Sequence, residues 1–324
     1  MPHAIMLRTY GGPETLLHEA VDVGDPGPGE LRIRQTAIGV NYHDVYVRSG
    51  LYDTLKPPAI PGIEAVGVVT EVGPDAGDFA VGDRIGYITN QYGAYATERI
   101  LPARLAVKLP DALDDRLAAT VLLKALTAEM LVRRVHRIEP GMTVLVHAAA
   151  GGVGRLLCQW ASAIGATVIG TAGTPEKSDM ALAAGCSEVI LYREVDFVAE
   201  VAKISGGRGV DVVFDGVGGD TFYGSLDALA TFGHLVNFGQ SSGSVEPLPM
   251  PRLAAKSLSV TRPIIFHYTA EISMLREMAA NVFDAFADGT LTAGAGQAFP
   301  LAEAGAAHAL LESREATSPL ILIP

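Results

Sequence analysis

Residues 144–160 read VLVHAAAGGVGRLLCQW: an apolar run, a cluster of alanines and glycines, then a stretch with helical spacing. Ala149, Gly151 and Gly154 follow the pattern A-x-G-x-x-G, a variant of the dinucleotide fingerprint. Gly151 and Gly152 carry no Cβ, so the backbone there can approach a pyrophosphate closely. The helix that follows, entered through Gly152 and Val153, offers free N–H groups and a partial positive charge at its first turn. Gly154 lets that helix pack close to the preceding strand. Taken alone, a packing turn of small residues would look the same, so the surroundings decide.

The surroundings alternate. Strands are expected at 142–147, 167–171, 188–192, 211–215, 233–238 and 257–262, with helices at 152–163, 175–184, 194–204 and 219–230. Strand, helix, strand at this spacing means βαβ units and a parallel sheet. The strands are continuous apolar runs, as expected when helices cover both faces. The expectation is a doubly wound, six-stranded Rossmann sheet with the glycine turn as its phosphate cradle.

Residues 1 to about 110 have a different rhythm. Short β-branched runs (30–40, 65–73, 82–88, 93–101) are broken by Gly and Pro, which suggests a small all-β barrel or sandwich. A helix is expected from about 116. The tail holds a strong helix over 270–290 with Gly289 as its C-cap, a short helix near 301–312 and a terminal strand, PLILIP. The expected division is 1–124 with 264–324 as one domain and 125–263 as the other. A chain of 324 residues exceeds what one core usually organises.

A carboxylate about 20 residues past the glycines usually grips the ribose 2′-OH of NAD. Here the second strand ends IGTAGTPEKS: Gly173 and Thr174 stand at the strand end, Glu176 lies further on, and Lys177 follows in the first turn of the next helix. Gly173 and Thr174 leave room for a 2′-phosphate and Lys177 can pair with it, which favours NADP(H) over NAD(H). A solvated helix lysine is the ordinary alternative for Lys177.

The formal charge of −12 argues against general nucleic-acid binding. No apolar run reaches membrane-spanning length, and the N-terminal residues lack a secretory h-region. Cys158 and Cys186 cannot build a disulfide framework or a four-cysteine zinc site. A cytoplasmic protein is the expectation.

Several segments together carry a family resemblance: GGPE (11–14), AIGVNYHDVYVRSGLY (37–52), PGIEAVGVV (61–69), LLKALTAEMLV (122–132), HAAAGGVG, GTAGTPEK, VNFGQSSG, VTRP and LESR. In that order, over nearly the whole length, the chain resembles the zinc-independent, zeta-crystallin-like quinone oxidoreductases of the medium-chain dehydrogenase/reductase superfamily. The resemblance implies a GroES-like β-barrel catalytic domain beside the Rossmann domain, an active site in the cleft between them, and a homodimer joined through Rossmann edge strands, here the strand around SLSVTRP. It implies that the turn from Ala149 to Gly154 holds the pyrophosphate and that Lys177, Tyr192 and Arg314 surround the 2′-phosphate. It places Thr127, Phe238, Gly239 and Ser241 near the nicotinamide and its ribose, with Asn41 close to the nicotinamide.

Zinc-dependent relatives place a Cys near position 41 and a His before Glu64; here Asn41 and Ile63 stand there, and no cysteine lies just past position 120. A lone Glu64 does not supply the three protein ligands of a catalytic zinc, so no metal is expected. Without a Lewis acid, alcohol or ketone chemistry loses its polariser. The acceptor must take hydride unaided: a quinone, whose reduction gains aromaticity, or an activated alkene such as an enone or haloacrylate. Tyr46 and Tyr52 are candidate donors to the developing oxygen, and Asn41 is a candidate partner of acceptor or nicotinamide. A half-buried packing role is the alternative for each tyrosine. His43, next to Asp44, is titratable but has no partner identifiable by spacing. NADPH-dependent quinone reduction is the first expectation, alkene reduction the second, and a non-catalytic cofactor-binding protein the reading outside enzymes.

Overall fold

The computed structural model describes residues 1–313 and 315–324. The chain begins with β1 (His3–Leu7), β2 (Leu16–Ala20), β3 (Glu30–Val40), α1 (Tyr42–Ser49), β4 (Glu64–Val72), β5 (Arg84–Ile88), β6 (Glu98–Pro102), β7 (Ala106–Lys108) and α2 (Asp115–Glu129). Alternation follows: β8 (Thr143–Val146), α3 (Gly152–Ile164), β9 (Thr167–Ala172), α4 (Pro175–Ala183), β10 (Glu188–Leu191), α5 (Phe197–Ile204), β11 (Val210–Asp215), α6 (Phe222–Ala228) and β12 (Leu229–Asn237). Then come α7 (Pro251–Ala254), β13 (Ser259–Thr261), α8 (Ile265–Tyr268), α9 (Ile272–Ala287), β14 (Gln297–Pro300), α10 (Ala304–Ser313) and β15 (Leu320–Ile323).

Two compact units result: residues 1–123, 270–279 and 293–324, and residues 124–269 and 280–292. The tail is therefore shared. Residues 280–292 join the second unit because Gln159 and Thr292 exchange two hydrogen bonds, at 3.1 and 2.8 Å, and Asn281 donates to Glu129 at 2.9 Å.

In the first unit β14-β15-β3-β4-β5-β7 form one sheet, with β6 also on β3, and β1 pairs with β2. All these pairs are antiparallel except β14 with β15. Its core is Ile5, Leu31, Ile33, Ile38, Tyr87, Leu101 and Leu322 with their neighbours. In the second unit the sheet order is β10-β9-β8-β11-β12-β13, and every neighbouring pair is parallel. That order, doubled back about the first strand, is the doubly wound Rossmann arrangement the alternation predicts. Leu145, Ile169, Val213, Leu226 and Leu235 form its core.

Two departures from the sequence expectation bear on the site. The helix expected over 219–230 ends at Ala228, and β12 begins at Leu229 rather than 233. Val210 already pairs with Leu229, and Gly209 makes the approach possible: a Cβ there would lie 2.7 Å from the Ala228 oxygen. Helix α1 was not expected within a region of strands. It is short and lacks a long apolar period, but its caps were readable. Asn41 is the N-cap, Asp44 at the third helical position accepts from the Asn41 backbone N–H at 2.9 Å, and Gly50 closes the helix at φ 81°.

Candidate cofactor turn and acceptor loop

The glycine turn sits between β8 and α3 as expected. His147 N donates to Phe214 O at 3.0 Å and Ala149 N to Thr171 O at 3.1 Å, so both neighbouring strands pin the turn. Ala148 takes φ 51°, a left-handed conformation that costs energy outside glycine. Gly151 is the N-cap and has no side-chain cap bond, which leaves the first turn of α3 to a ligand rather than a side chain. A Cβ on Gly154 would lie 2.3 Å from Ala148 O, so only glycine allows this packing. A Cβ on Gly152 would lie 2.8 Å from Lys124 Cδ. Lys124, on α2, therefore lies against the turn, a cation the spacing alone did not bring there. This donor set fits a dinucleotide pyrophosphate: bare N–H groups, room where side chains are missing, and a lysine alongside.

His147 beside the turn is a core residue. Its ring lies 3.1 Å from Thr171 Oγ1 and 3.0 Å from Ser225 Oγ, and burial lowers its pKa, which keeps it neutral.

The end of β9 bears on the choice of dinucleotide. Thr174 caps α4 by accepting from Lys177 N at 3.3 Å, and Lys177 lies half-buried in the first turn. A Cβ on Gly173 would lie 2.9 Å from Tyr192 Oη, so the tyrosine after β10 folds over the glycine. Glu176 is exposed, and bonds from its own backbone N–H and the Thr174 hydroxyl hold its carboxyl below the usual range. That carboxylate serves the helix start. Gly173, Thr174, Lys177 and Tyr192 thus share one strand-end region. Arg314 lies outside the described residues.

Phe238, Gly239 and Ser241 follow β12. Phe238 N donates to Asp215 O at 2.8 Å and Ser241 N to Gly216 O at 3.3 Å. Asp215 itself, fully buried, accepts from Val217 N, Gly218 N and the Thr221 hydroxyl. Arg262 clamps Asn237 through its main-chain and side-chain oxygens, both at 3.0 Å. Asp215, Asn237 and Arg262 support this loop and were not singled out in the sequence, because nothing local marks them. Thr127 lies on α2, half-buried.

In the first unit, Asn41, Tyr46 and Tyr52 gather at α1. Asn41 Nδ2 donates to Glu64 Oε1 at 2.7 Å, and Glu64 Oε2 accepts from Leu123 N at 2.8 Å. Both oxygens of that buried carboxylate are thereby engaged. Among the described residues, no group of three or more His, Cys, Asp and Glu side chains is placed to hold a metal ion. The rings of Tyr46 and Tyr52 lie 5.0 Å apart, and Tyr52 N donates to Tyr46 O at 3.0 Å. Tyr42 packs against Tyr46 with centroids 6.1 Å apart and anchors α1 by donating to Leu311 O at 2.9 Å.

From exposed Glu312 on α10 a polar chain runs inward through buried Arg48, His308 and Tyr95 to Asp44. Glu312 accepts from Arg48 at 2.7 and 2.9 Å, and Arg48 Nη1 lies 3.3 Å from His308 Nδ1. Because arginine only donates, Nδ1 accepts, and His308 Nε2–H donates to Tyr95 Oη at 2.9 Å. Tyr95 then donates to Asp44 at 3.3 Å. Burial, reinforced by the Arg48 charge, pushes His308 down to about 3, so it is neutral. The chain ends on Asp44, which accepts from the N-cap backbone of α1.

Comparison with known proteins agrees with this picture. Residues 27–111 match the family model described as the alcohol dehydrogenase GroES-like domain, and residues 152–282 the model described as zinc-binding dehydrogenase. Quinone oxidoreductase 1 of Escherichia coli is 41% identical over 330 residues, covering all of both chains. The chain belongs to the quinone oxidoreductases of the medium-chain dehydrogenase/reductase superfamily. A 2-haloacrylate reductase from a Burkholderia species is 42% identical over 331 residues, covering 100% of this chain and 99% of the relative. The crystal structure of the Escherichia coli quinone oxidoreductase complexed with NADPH superposes with a TM-score of 0.97 at 41% identity, covering 99% of this chain and all of the other. For this quinone oxidoreductase family member, the first unit is thus the GroES-like domain and the second the Rossmann domain.

Proposed function

We propose that this protein is an NADPH-dependent quinone reductase that works without a metal. The observation that carries the reading is the strand-end region of the second unit. A bare glycine cradle is followed by Gly173, Thr174, Lys177 and Tyr192, where an NAD site would have an acid. When bound, NADPH supplies the hydride. The chain's own residues do the rest. Gly151, Gly152, Val153 and Gly154, with Ala149, would hold the pyrophosphate; Lys177, Tyr192 and Arg314 would hold the 2′-phosphate; Thr127, Phe238, Gly239 and Ser241 would seat the nicotinamide riboside. Asn41 is fixed by Glu64 and orients the nicotinamide or acceptor. Tyr46 and Tyr52 donate hydrogen bonds to the acceptor oxygen as negative charge builds there.

Reduction of an activated C=C bond is the second reading, favoured by the 42% identity to a 2-haloacrylate reductase. The two separate in one assay: NADPH oxidation with benzoquinone-type acceptors run beside enone and haloacrylate acceptors. Faster turnover of quinones supports the first reading; turnover of alkenes alone replaces it with the second. No NADPH binding in a titration overturns both.

No helix is long and apolar enough to cross a membrane among the described residues. Cys158 and Cys186 are free thiols, which fits the reducing cytoplasm, where we place the protein. One edge strand of the parallel sheet, β13, is the surface through which we expect a homodimer, to be checked by sedimentation.

A further inference from the structure

One residue near the acceptor loop holds a conformation its side chain disfavours. Tyr92 is buried, bulky and left-handed at φ 58°. Such a conformation persists only where the surroundings over-determine it, and it clusters at working sites. The surroundings here are specific. The Tyr92 hydroxyl is hydrogen-bonded to the Thr54 hydroxyl and lies 3.2 Å from His43 Nε2. The two rings also stack, with centroids 5.9 Å apart. His43 in turn packs edge-on against Tyr52, centroids 5.6 Å apart with the planes at 72°, and Tyr52 is the ring that meets Tyr46.

From this juxtaposition we infer that His43 is a positioning residue for Tyr52, and that the strained Tyr92 fixes His43 in that role. The inference rests on the reading of Tyr52 as a hydrogen-bond donor to the acceptor. Tyr52 lies just past the end of α1, beyond the Gly50 cap, so the helix backbone alone does not set the direction of its ring. An edge-to-face contact restricts that direction, and the hydrogen bond from Tyr92 to the imidazole stops the imidazole from turning. Burial lowers the His43 pKa to about 4, so near neutral pH the ring is uncharged and one of its nitrogens can accept from Tyr92. An acceptor oxygen then meets a phenol already aimed at it. Misplacement by an ångström is enough to lower turnover while the cofactor still binds normally.

The test is a double-mutant cycle in the full chain, with a benzoquinone-type acceptor and saturating NADPH. His43→Phe keeps a ring against Tyr52 but cannot accept from Tyr92; Tyr92→Phe keeps the stack and removes the hydroxyl. Each is expected to lower kcat roughly 3- to 10-fold, with the NADPH dissociation constant unchanged. Either change added to Tyr52→Phe is expected to cost less than about twofold more, since both act through Tyr52. Unchanged kcat in both single variants overturns the inference, as does full multiplication of the losses in the double variants. A fall in NADPH affinity matching the fall in kcat also overturns it, because it indicates a merely structural role. If the unaltered chain oxidises NADPH with no quinone at all, the functional reading itself fails, and the role of His43 falls with it before any variant is made.

Discussion

The glycine turn of the second unit and the aromatic loop of the first are built from opposite materials. The turn is made of backbone. Its specificity lies in atoms that are missing, the side chains of Gly151, Gly152 and Gly154, and in N–H groups that no side chain caps. The loop is made of side chains. Asn41 leans on Glu64, Tyr52 on His43, His43 on Tyr92, and Asp44 on a chain that runs through Tyr95 and His308 to Arg48. A backbone device fails by gaining atoms. A side-chain device fails by losing a bond or gaining a charge.

The largest effect is expected from adding atoms to the turn. In Gly154→Val the new Cβ meets Ala148 O at 2.3 Å and Ala149 Cα at 3.0 Å, both backbone and unable to rotate away. A loss of about 3 kcal/mol or more of stability is expected, the upper end of overpacking costs, together with loss of NADPH binding. Denaturant unfolding and a cofactor titration check it. Native stability in this variant would show that the turn is not sterically determined.

The next effect comes from charging the side-chain network. The His308 pKa is depressed to about 3, by burial first and by Arg48 second, against about 6.5 in an unfolded chain. Between those values the unfolded chain binds a proton that the folded one refuses. The stabilisation is thus complete above about pH 6.5 and lost as the pH falls, by about 1.4 kcal/mol per pH unit, or about 3 kcal/mol by pH 4. Thermal unfolding between pH 7 and pH 4 reads this. His308→Gln, which cannot protonate, is expected to flatten the slope, and an unchanged slope would place the acid sensitivity elsewhere.

The same contrast explains what was legible in the sequence. The parallel sheet and the turn could be read because a backbone device leaves its signature in consecutive residues: apolar runs, a fixed glycine spacing, a missing acid at the strand end. The loop could be read only in its near residues. Asn41, Tyr46 and Tyr52 share one stretch, but Glu64, Tyr92, Tyr95 and His308 reach that stretch from 23, 49, 51 and 260 residues away. No local pattern marks such partners. His43 shows the limit well: its chemistry was visible and its partner was not. Helix α1 was missed for a different reason, since its signal lies in caps rather than in a period.

A smaller effect separates the two dinucleotides. Lys177→Ala removes a cation from the Gly173–Tyr192 region and leaves the turn intact. NADPH is expected to lose about 2 kcal/mol of binding free energy, the worth of a charge-assisted hydrogen bond, while NADH loses little. Calorimetric titration with both cofactors measures the difference. Equal losses would show that Lys177 does not serve the 2′-phosphate, and the preference would then have to come from Tyr192 or Arg314.

The smallest expected change is the most informative about the acceptor. Tyr52→Phe deletes one oxygen and keeps the ring, so the contacts with His43 and Tyr46 survive. If the phenol donates to oxygen only as negative charge develops, its loss raises the barrier without weakening the ground state. A fall in kcat of about tenfold is expected, about 1.4 kcal/mol, with KM for the quinone and affinity for NADPH nearly unchanged. A rise in KM at constant kcat would instead make Tyr52 a uniform binding contact. An unchanged rate would make it a packing ring, and the donor would then be Tyr46 or water. The enone comparison sharpens this further. Hydride delivery to an alkene carbon places charge on a carbonyl oxygen further along the conjugated chain, so a phenol set for a quinone oxygen should matter less there. A tenfold loss with quinones beside a smaller loss with enones would tie the position of that hydroxyl to the kind of acceptor the loop is built to hold.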